Sequence, residues 1–88
     1  MTAAEKLCAA GYDDVVIFED YSYDDALVGV TEDGRAAYDY DKMVDWLVQH
    51  TGWDLEAAVE WIEYNTIGAL PQFWTEDGPR GPVIMYSL

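Results

Sequence analysis

The stretch Ala26-Leu27-Val28-Gly29-Val30-Thr31-Glu32-Asp33-Gly34-Arg35-Ala36-Ala37-Tyr38 decides how the chain folds. An apolar, β-branched run, a polar turn with Asp-Gly at its centre and a returning apolar run together predict a β-hairpin, since both positions of a tight hairpin turn call for positive φ. Directly after it the period changes. Met43, Val44, Leu47 and Val48 follow the i, i+1, i+4, i+5 stripe of a helix that Asp39 or Asp41 can cap and Gly52 can stop. A second helix opens at Asp54 with Glu56 in its first turn, where the helix dipole favours an anion. Its buried stripe is Leu55, Ala58, Val59 and Ile62, and Gly68 and Pro71 end it. The short connection between the two predicts a packed helix pair.

Outward from this centre the signals weaken. Val15-Val16-Ile17-Phe18 has the β-branched and aromatic content of a further strand, and the link from Asp20 to Asp25 is a polar, tyrosine-rich loop. Thr2 to Ala10 predicts a short helix, with Thr2 and Glu5 in the capping-box spacing and Gly11 as its stop. Leu7, Cys8 and the alanines form its apolar face, so Cys8 is expected to be a small buried residue. Thr75 to Pro82 reads as a loop, and Val83-Ile84-Met85-Tyr86 as a last strand. Without repeats or a low-complexity linker, residues 1–88 form one domain. The expected class is α+β: a small, mostly antiparallel sheet of roughly three or four strands, covered on one face by two main helices, plus a short N-terminal helix.

Composition narrows the function. The 88 residues carry 18 Asp and Glu against 4 Lys and Arg, a formal charge of −14, with 51% hydrophobic and 15% aromatic content. That apolar content is too high for a disordered acidic tail, so a folded core sits inside an acidic shell. Direct nucleic-acid binding needs Lys and Arg for the phosphates and is not expected. Anionic membranes are disfavoured for the same reason. The single cysteine, Cys8, forms neither an internal disulfide nor a zinc cluster, which fits a reducing compartment. The start lacks a basic segment followed by a long apolar one, and no apolar run reaches the length of a membrane span, so a cytoplasmic location in a bacterial host cell is expected.

Catalytic chemistry finds little footing. His50 is the only histidine and lies near a helix C-terminus, where the dipole favours its charged form. Neither Cys8 nor any serine stands at a spacing that pairs it with His50, and no phosphate loop or nucleophile elbow occurs. Asp39, Asp41 and Asp45 resemble the start of a calcium loop, but Val44 and His50 stand where that loop requires Gly and Glu. Paired carboxylates for glycoside hydrolysis need a cleft for which a chain this short leaves little room. No enzyme activity, catalytic residue, metal or cofactor is expected. Trp46, Trp53, Trp61 and Trp74 either widen the helical stripes or supply an aromatic anchor to a partner.

The acidic pattern says most. From Asp13 to Asp45 eleven carboxylates face only Arg35 and Lys42, a balance of −9, and many come in pairs at turns. Glu56, Glu60 and Glu63 recur at i, i+4, i+7 opposite the apolar stripe, and each four-residue step advances about 6 Å. That step is comparable to the spacing of successive phosphates on one strand. Such like-charge rows destabilise a helix by about 0.2–0.5 kcal/mol per pair. Solubility needs a net charge of only about 2–8. The excess is either a plain solvated face, or adaptation to an acidic proteome, or, in the sharper reading, a rigid polyanion that fits a basic site on a partner. Its contacts would then be Asp20, Asp24 and Asp25 in the loop, Glu32 and Asp33 at the hairpin, and Glu56, Glu60 and Glu63 on the helix. Tyr21 and Tyr23 are expected to add contact area. A monomer is expected, because so much charge opposes self-packing.

The segments Asp24-Asp25-Ala26-Leu27-Val28-Gly29-Val30, Glu32-Asp33-Gly34-Arg35 and Tyr38-Asp39-Tyr40-Asp41-Lys42-Met43-Val44-Asp45-Trp46-Leu47 resemble a family of small acidic proteins encoded by phages and mobile elements. Glu60-Trp61-Ile62-Glu63-Tyr64-Asn65-Thr66, Ala69-Leu70-Pro71 and Pro82-Val83-Ile84-Met85-Tyr86 extend the resemblance over most of the chain after residue 13. Some small acidic phage proteins of this kind are anti-CRISPR inhibitors that mimic DNA and block target binding by a CRISPR effector. The resemblance therefore implies an inhibitor that acts by occupancy on the basic DNA-binding surface of a CRISPR-Cas effector subunit, a type I complex being the one suggested, with no catalytic residue to carry over. The alternative is an antitoxin-like or phage regulatory protein that sequesters another basic host protein.

Overall fold

In the computed structural model, residues 2–19, 21–76 and 78–86 are described. The chain opens with α1 (Ala3–Ala9), which begins where the sequence predicts: Thr2 Oγ1 accepts from the Glu5 N–H at 3.1 Å, and Glu5 Oε1 accepts from the Thr2 N–H at 3.1 Å. Hydrogen bonding to Thr2, through its backbone first and then its side chain, holds the Glu5 carboxyl below its usual range. Only Ala3 and Leu7 of α1 are buried. Cys8 is exposed, contrary to expectation, because it lies one residue past Leu7 and so points off the inward face of a short helix.

Val15-Val16-Ile17-Phe18, expected as a strand, joins no strand ladder. It contributes packing instead: Phe18 is buried, with its ring centroid 4.9 Å from that of Tyr38. After a 3₁₀ turn (Asp24–Ala26), β1 (Leu27–Val30) pairs antiparallel with β2 (Ala36–Asp39), with a bulge between Leu27 and Gly29. The connecting turn differs from the two-residue form that Asp-Gly suggests. Gly34 alone takes positive φ there, at 82°, its N–H bonds the Thr31 carbonyl at 2.9 Å, and the Thr31 N–H bonds the Arg35 carbonyl at 2.8 Å. That is a three-residue loop with the glycine in the left-handed position, the next most common hairpin solution.

β2 runs directly into α2 (Tyr40–Thr51), whose N-cap is Asp39, with its side chain accepting from the Lys42 N–H at 3.1 Å. Gly52, at φ 78°, ends it as predicted. Met43, Val44, Trp46 and Leu47 are buried. α3 (Leu55–Trp61) is capped by Asp54 and is shorter than the sequence suggests. It continues as a π turn (Ile62–Thr66) and a 3₁₀ segment (Ile67–Phe73), passing through both expected stops. Gly68 does not adopt positive φ, and Pro71 is accommodated inside the 3₁₀ segment. The change of pitch keeps one face inward. A four-residue step overshoots an α turn of about 3.6 residues but falls short of the wider π turn, so Ala58, Ile62 and Thr66 are all buried. Leu55, by contrast, is 63% exposed at the start of the helix.

A small hairpin, β3 (Trp74–Thr75) with β4 (Gly78–Pro79), interrupts the segment expected to be loop. β5 (Val83–Met85) then returns beside β2, in parallel, to give the order β1-β2-β5. The class is the expected α+β, and the sheet is mixed because α2, α3 and their extensions form the crossover that a parallel pair requires. Successive side chains of a strand point to opposite faces, yet Ala36, Ala37 and Tyr38 are all buried, so both faces of the central strand are covered. Leu7 of α1 and Phe18 join the same core cluster as the helical residues.

Among the described residues, one buried side-chain group, the Tyr38 hydroxyl, meets no partner in hydrogen-bond geometry. Burial pushes its pKa up to about 12, and the nearby Phe18 backbone pulls the other way. An unpaired buried hydroxyl costs about 1–3 kcal/mol, so Tyr38→Phe is expected to raise stability by about 1 kcal/mol in urea titration. The sign with pH follows. Tyr38 favours the folded state's neutral phenol, so its contribution is complete below pH 10 and is lost as pH rises towards about 12. Tyr38→Phe is expected to remove that part of the alkaline loss.

Candidate functional site

Of the sixteen described carboxylates, all except Asp24 and Asp39 are exposed. Two of the four cations do little to neutralise them. Lys6 Nζ donates to the Asp24 carbonyl, and Arg35 Nε donates to the Gly81 carbonyl at 2.9 Å, so both side chains bond backbone oxygens. The acidic shell expected from composition is therefore real, and it stands on helices and turns rather than on a tail.

The proposed contacts do not all share in it. Asp20 lies outside the described residues. Asp24 is half-buried, and its Oδ1 accepts from the Ala3 N–H at 2.7 Å, tying the 3₁₀ turn to the start of α1. Its carboxylate serves the fold. Asp25 is exposed on the same turn. Glu32 and Asp33 are exposed at the hairpin tip, where Asp33 accepts from the Thr31 hydroxyl. Tyr23 provides no contact surface: it is 1% exposed, and its hydroxyl bonds Thr66 Oγ1 at 2.7 Å. Tyr21 is half-buried, with its ring 6.3 Å from Trp46, 6.3 Å from Trp53 and 5.5 Å from Trp61, always near edge-to-face. The tyrosine-rich loop is thus the hub of the aromatic core, with the rings of Tyr21 and Tyr23 turned inward and Asp25 exposed.

Glu56, Glu60 and Glu63 are all exposed, yet they do not form one row. Glu56 and Glu60 lie one turn apart on α3, whereas Glu63 falls in the π turn and accepts from the Tyr40 hydroxyl at 3.1 Å. The change of pitch swings it toward the start of α2. Burial first, and then this bond, raises the Tyr40 pKa.

Glu60 faces another way. It lines an open groove of about 320 Å³ with Trp53, Ala57, Trp61, Tyr64 and Asn65. Trp53 precedes α3, Trp61 is its last residue, and Tyr64 and Asn65 follow in the π turn, a feature often found at functional sites. Ala57, Glu60, Trp61 and Tyr64 stand at i, i+3, i+4, i+7, the spacing of one helix face, so helical periodicity could have found this grouping; attention to the acidic row and the apolar stripe passed over it. Trp46, by contrast, is core, and Trp74 is 61% exposed on β3.

The groups considered for catalysis and metal binding stand apart. His50 stacks on Trp46 at 3.9 Å, and its Nδ1 donates to the Trp46 carbonyl at 2.8 Å. Asp39 caps α2, and Asp41 and Asp45 lie exposed along it. Among the described residues no group of three or more His, Cys, Asp or Glu is arranged to hold a metal ion, and no helix is long and apolar enough to cross a membrane. A scan against protein-family models, a search of curated proteins and a search of solved structures each find no match.

Proposed function

We propose that the protein is a non-enzymatic DNA mimic, an anti-CRISPR inhibitor that occupies the basic DNA-binding site of a CRISPR-Cas effector and blocks target DNA binding. The observation that carries this reading is the acidic shell itself. Nearly every described carboxylate is exposed on a folded scaffold, while Lys6 and Arg35 are committed to backbone oxygens. Held on helices and a hairpin, these charges lose little entropy on meeting a positively lined groove, and long-range attraction speeds the encounter. The CRISPR target comes from the resemblance of the sequence to small acidic phage proteins, with a type I complex as the effector suggested. The part of the surface in contact is assigned to Asp25, Glu32, Asp33, Glu56, Glu60 and Glu63.

The test is direct binding of labelled protein to purified effector complexes, with and without target DNA. Binding to one of them is expected, mutually exclusive with DNA, and weaker by about tenfold as salt rises from dilute buffer to a few times physiological strength. A complex that holds DNA and this protein together, or an affinity indifferent to salt, overturns the reading.

A further inference from the structure

We infer that the groove at the end of α3 is a receptor for an arginine side chain of the basic partner. The inference rests on the reading of the chain as a ligand of a basic protein and adds to it the chemistry of one contact. Two indoles line the groove, with Trp53 and Trp61 centroids 5.6 Å apart and planes inclined at 53°. Tyr21 braces both from the core by near edge-to-face contacts, so they form a stiff platform rather than mobile surface rings. Tyr64, 77% exposed, extends the aromatic wall, and the Glu60 carboxylate and Asn65 amide supply hydrogen-bonding groups.

An apolar ligand fits this groove poorly, since binding it would strip water from Glu60. A cation resolves the conflict, because it meets aromatic faces and a carboxylate at once. Between the two cationic side chains, the guanidinium matches better. It is planar and weakly hydrated, so one face lies on an indole while its edge donates two parallel bonds to Glu60. The ammonium of lysine is a compact, strongly hydrated point that gains less from an open groove. The surroundings also suit a cation: Glu56 stands one turn before Glu60 on the same helix, and the chain carries −14 overall.

Hexa-arginine and hexa-lysine peptides separate shape from bulk charge. Titrated into the intact protein, the arginine peptide is expected to bind about three- to tenfold more tightly and to shift the indole N–H signals of Trp53 and Trp61 in NMR spectra. Tyr64→Ala, at an exposed position, and Glu60→Gln are each expected to shrink that preference. Glu32→Gln with Asp33→Asn at the hairpin is expected to weaken both peptides alike and preserve it. Equal binding of the two peptides, binding of neither, or a preference untouched by Tyr64→Ala and Glu60→Gln overturns the inference. If the arginine preference is lost while competition with DNA holds, only the groove assignment falls. If the preference holds and no effector competition occurs, the DNA-mimic reading falls instead.

Discussion

Trp46→Ala is expected to cost about 3–5 kcal/mol of folding free energy, the range for removing a large aromatic side chain from a core. Trp46 is only 8% exposed and packs against the tyrosine-rich loop from α2. From α2 it reaches the Tyr23 ring at 5.5 Å and the Tyr21 ring at 6.3 Å, and Tyr21 in turn touches both Trp53 and Trp61. Truncation leaves a void between α2, α3 and the loop that carries the acids. A domain of this length has a total stability of roughly 4–13 kcal/mol. The expected fall in Tm is about 15–30 °C, readable by calorimetry or urea titration. His50→Ala is the control, since it removes the outer partner of the same stack and is expected to cost under about 1 kcal/mol. A loss no greater for Trp46→Ala than for His50→Ala would show that the aromatic hub does not hold the fold.

This hub also explains which parts of the structure could be read from the chain. Caps and stops that depend on a local bond were legible: Thr2 with Glu5, Asp39 with the Lys42 N–H, and Gly52 at positive φ all fall where residue type and spacing place them. Features decided by distant packing were not. Val15 to Phe18 has strand composition, but its use is to press Phe18 onto Tyr38, and no neighbouring strand takes up its backbone. The π turn ends on Thr66, which is buried and meets the Tyr23 hydroxyl, a partner 43 positions away. Glu63 in that turn bonds the Tyr40 hydroxyl while Glu60 lines the groove, so the three-acid row implied by helical spacing becomes a pair, Glu56 and Glu60, and one separate acid. Tyr23 shows the rule from the other side. Among polar neighbours it reads as exposed, yet it holds φ at 48° with its ring buried, a strained conformation for a residue other than glycine.

Reversing Glu56, Glu60 and Glu63 together to lysine is expected to weaken effector binding by about 100-fold and leave the fold intact. Exposed ion pairs contribute about 0.2–1 kcal/mol each, and lysine in their place adds repulsion from the partner's own cations, so three reversals amount to roughly 3 kcal/mol. The fold tolerates them because all three side chains are exposed. Lysine at position 56 opposes the dipole at the start of α3, and Glu63→Lys removes the bond from the Tyr40 hydroxyl, while the lower net charge relieves repulsion across the whole surface. These contributions are each under about 1 kcal/mol and partly cancel. Circular dichroism and Tm check the fold, and binding to the effector complex in competition with DNA checks the function. The salt dependence of what binding remains should flatten, because fewer charges are then screened. A triple variant that binds as tightly as the parent would remove α3 and its π turn from the contact and leave the hairpin acids Glu32 and Asp33, with Asp25, as the surface to reverse next.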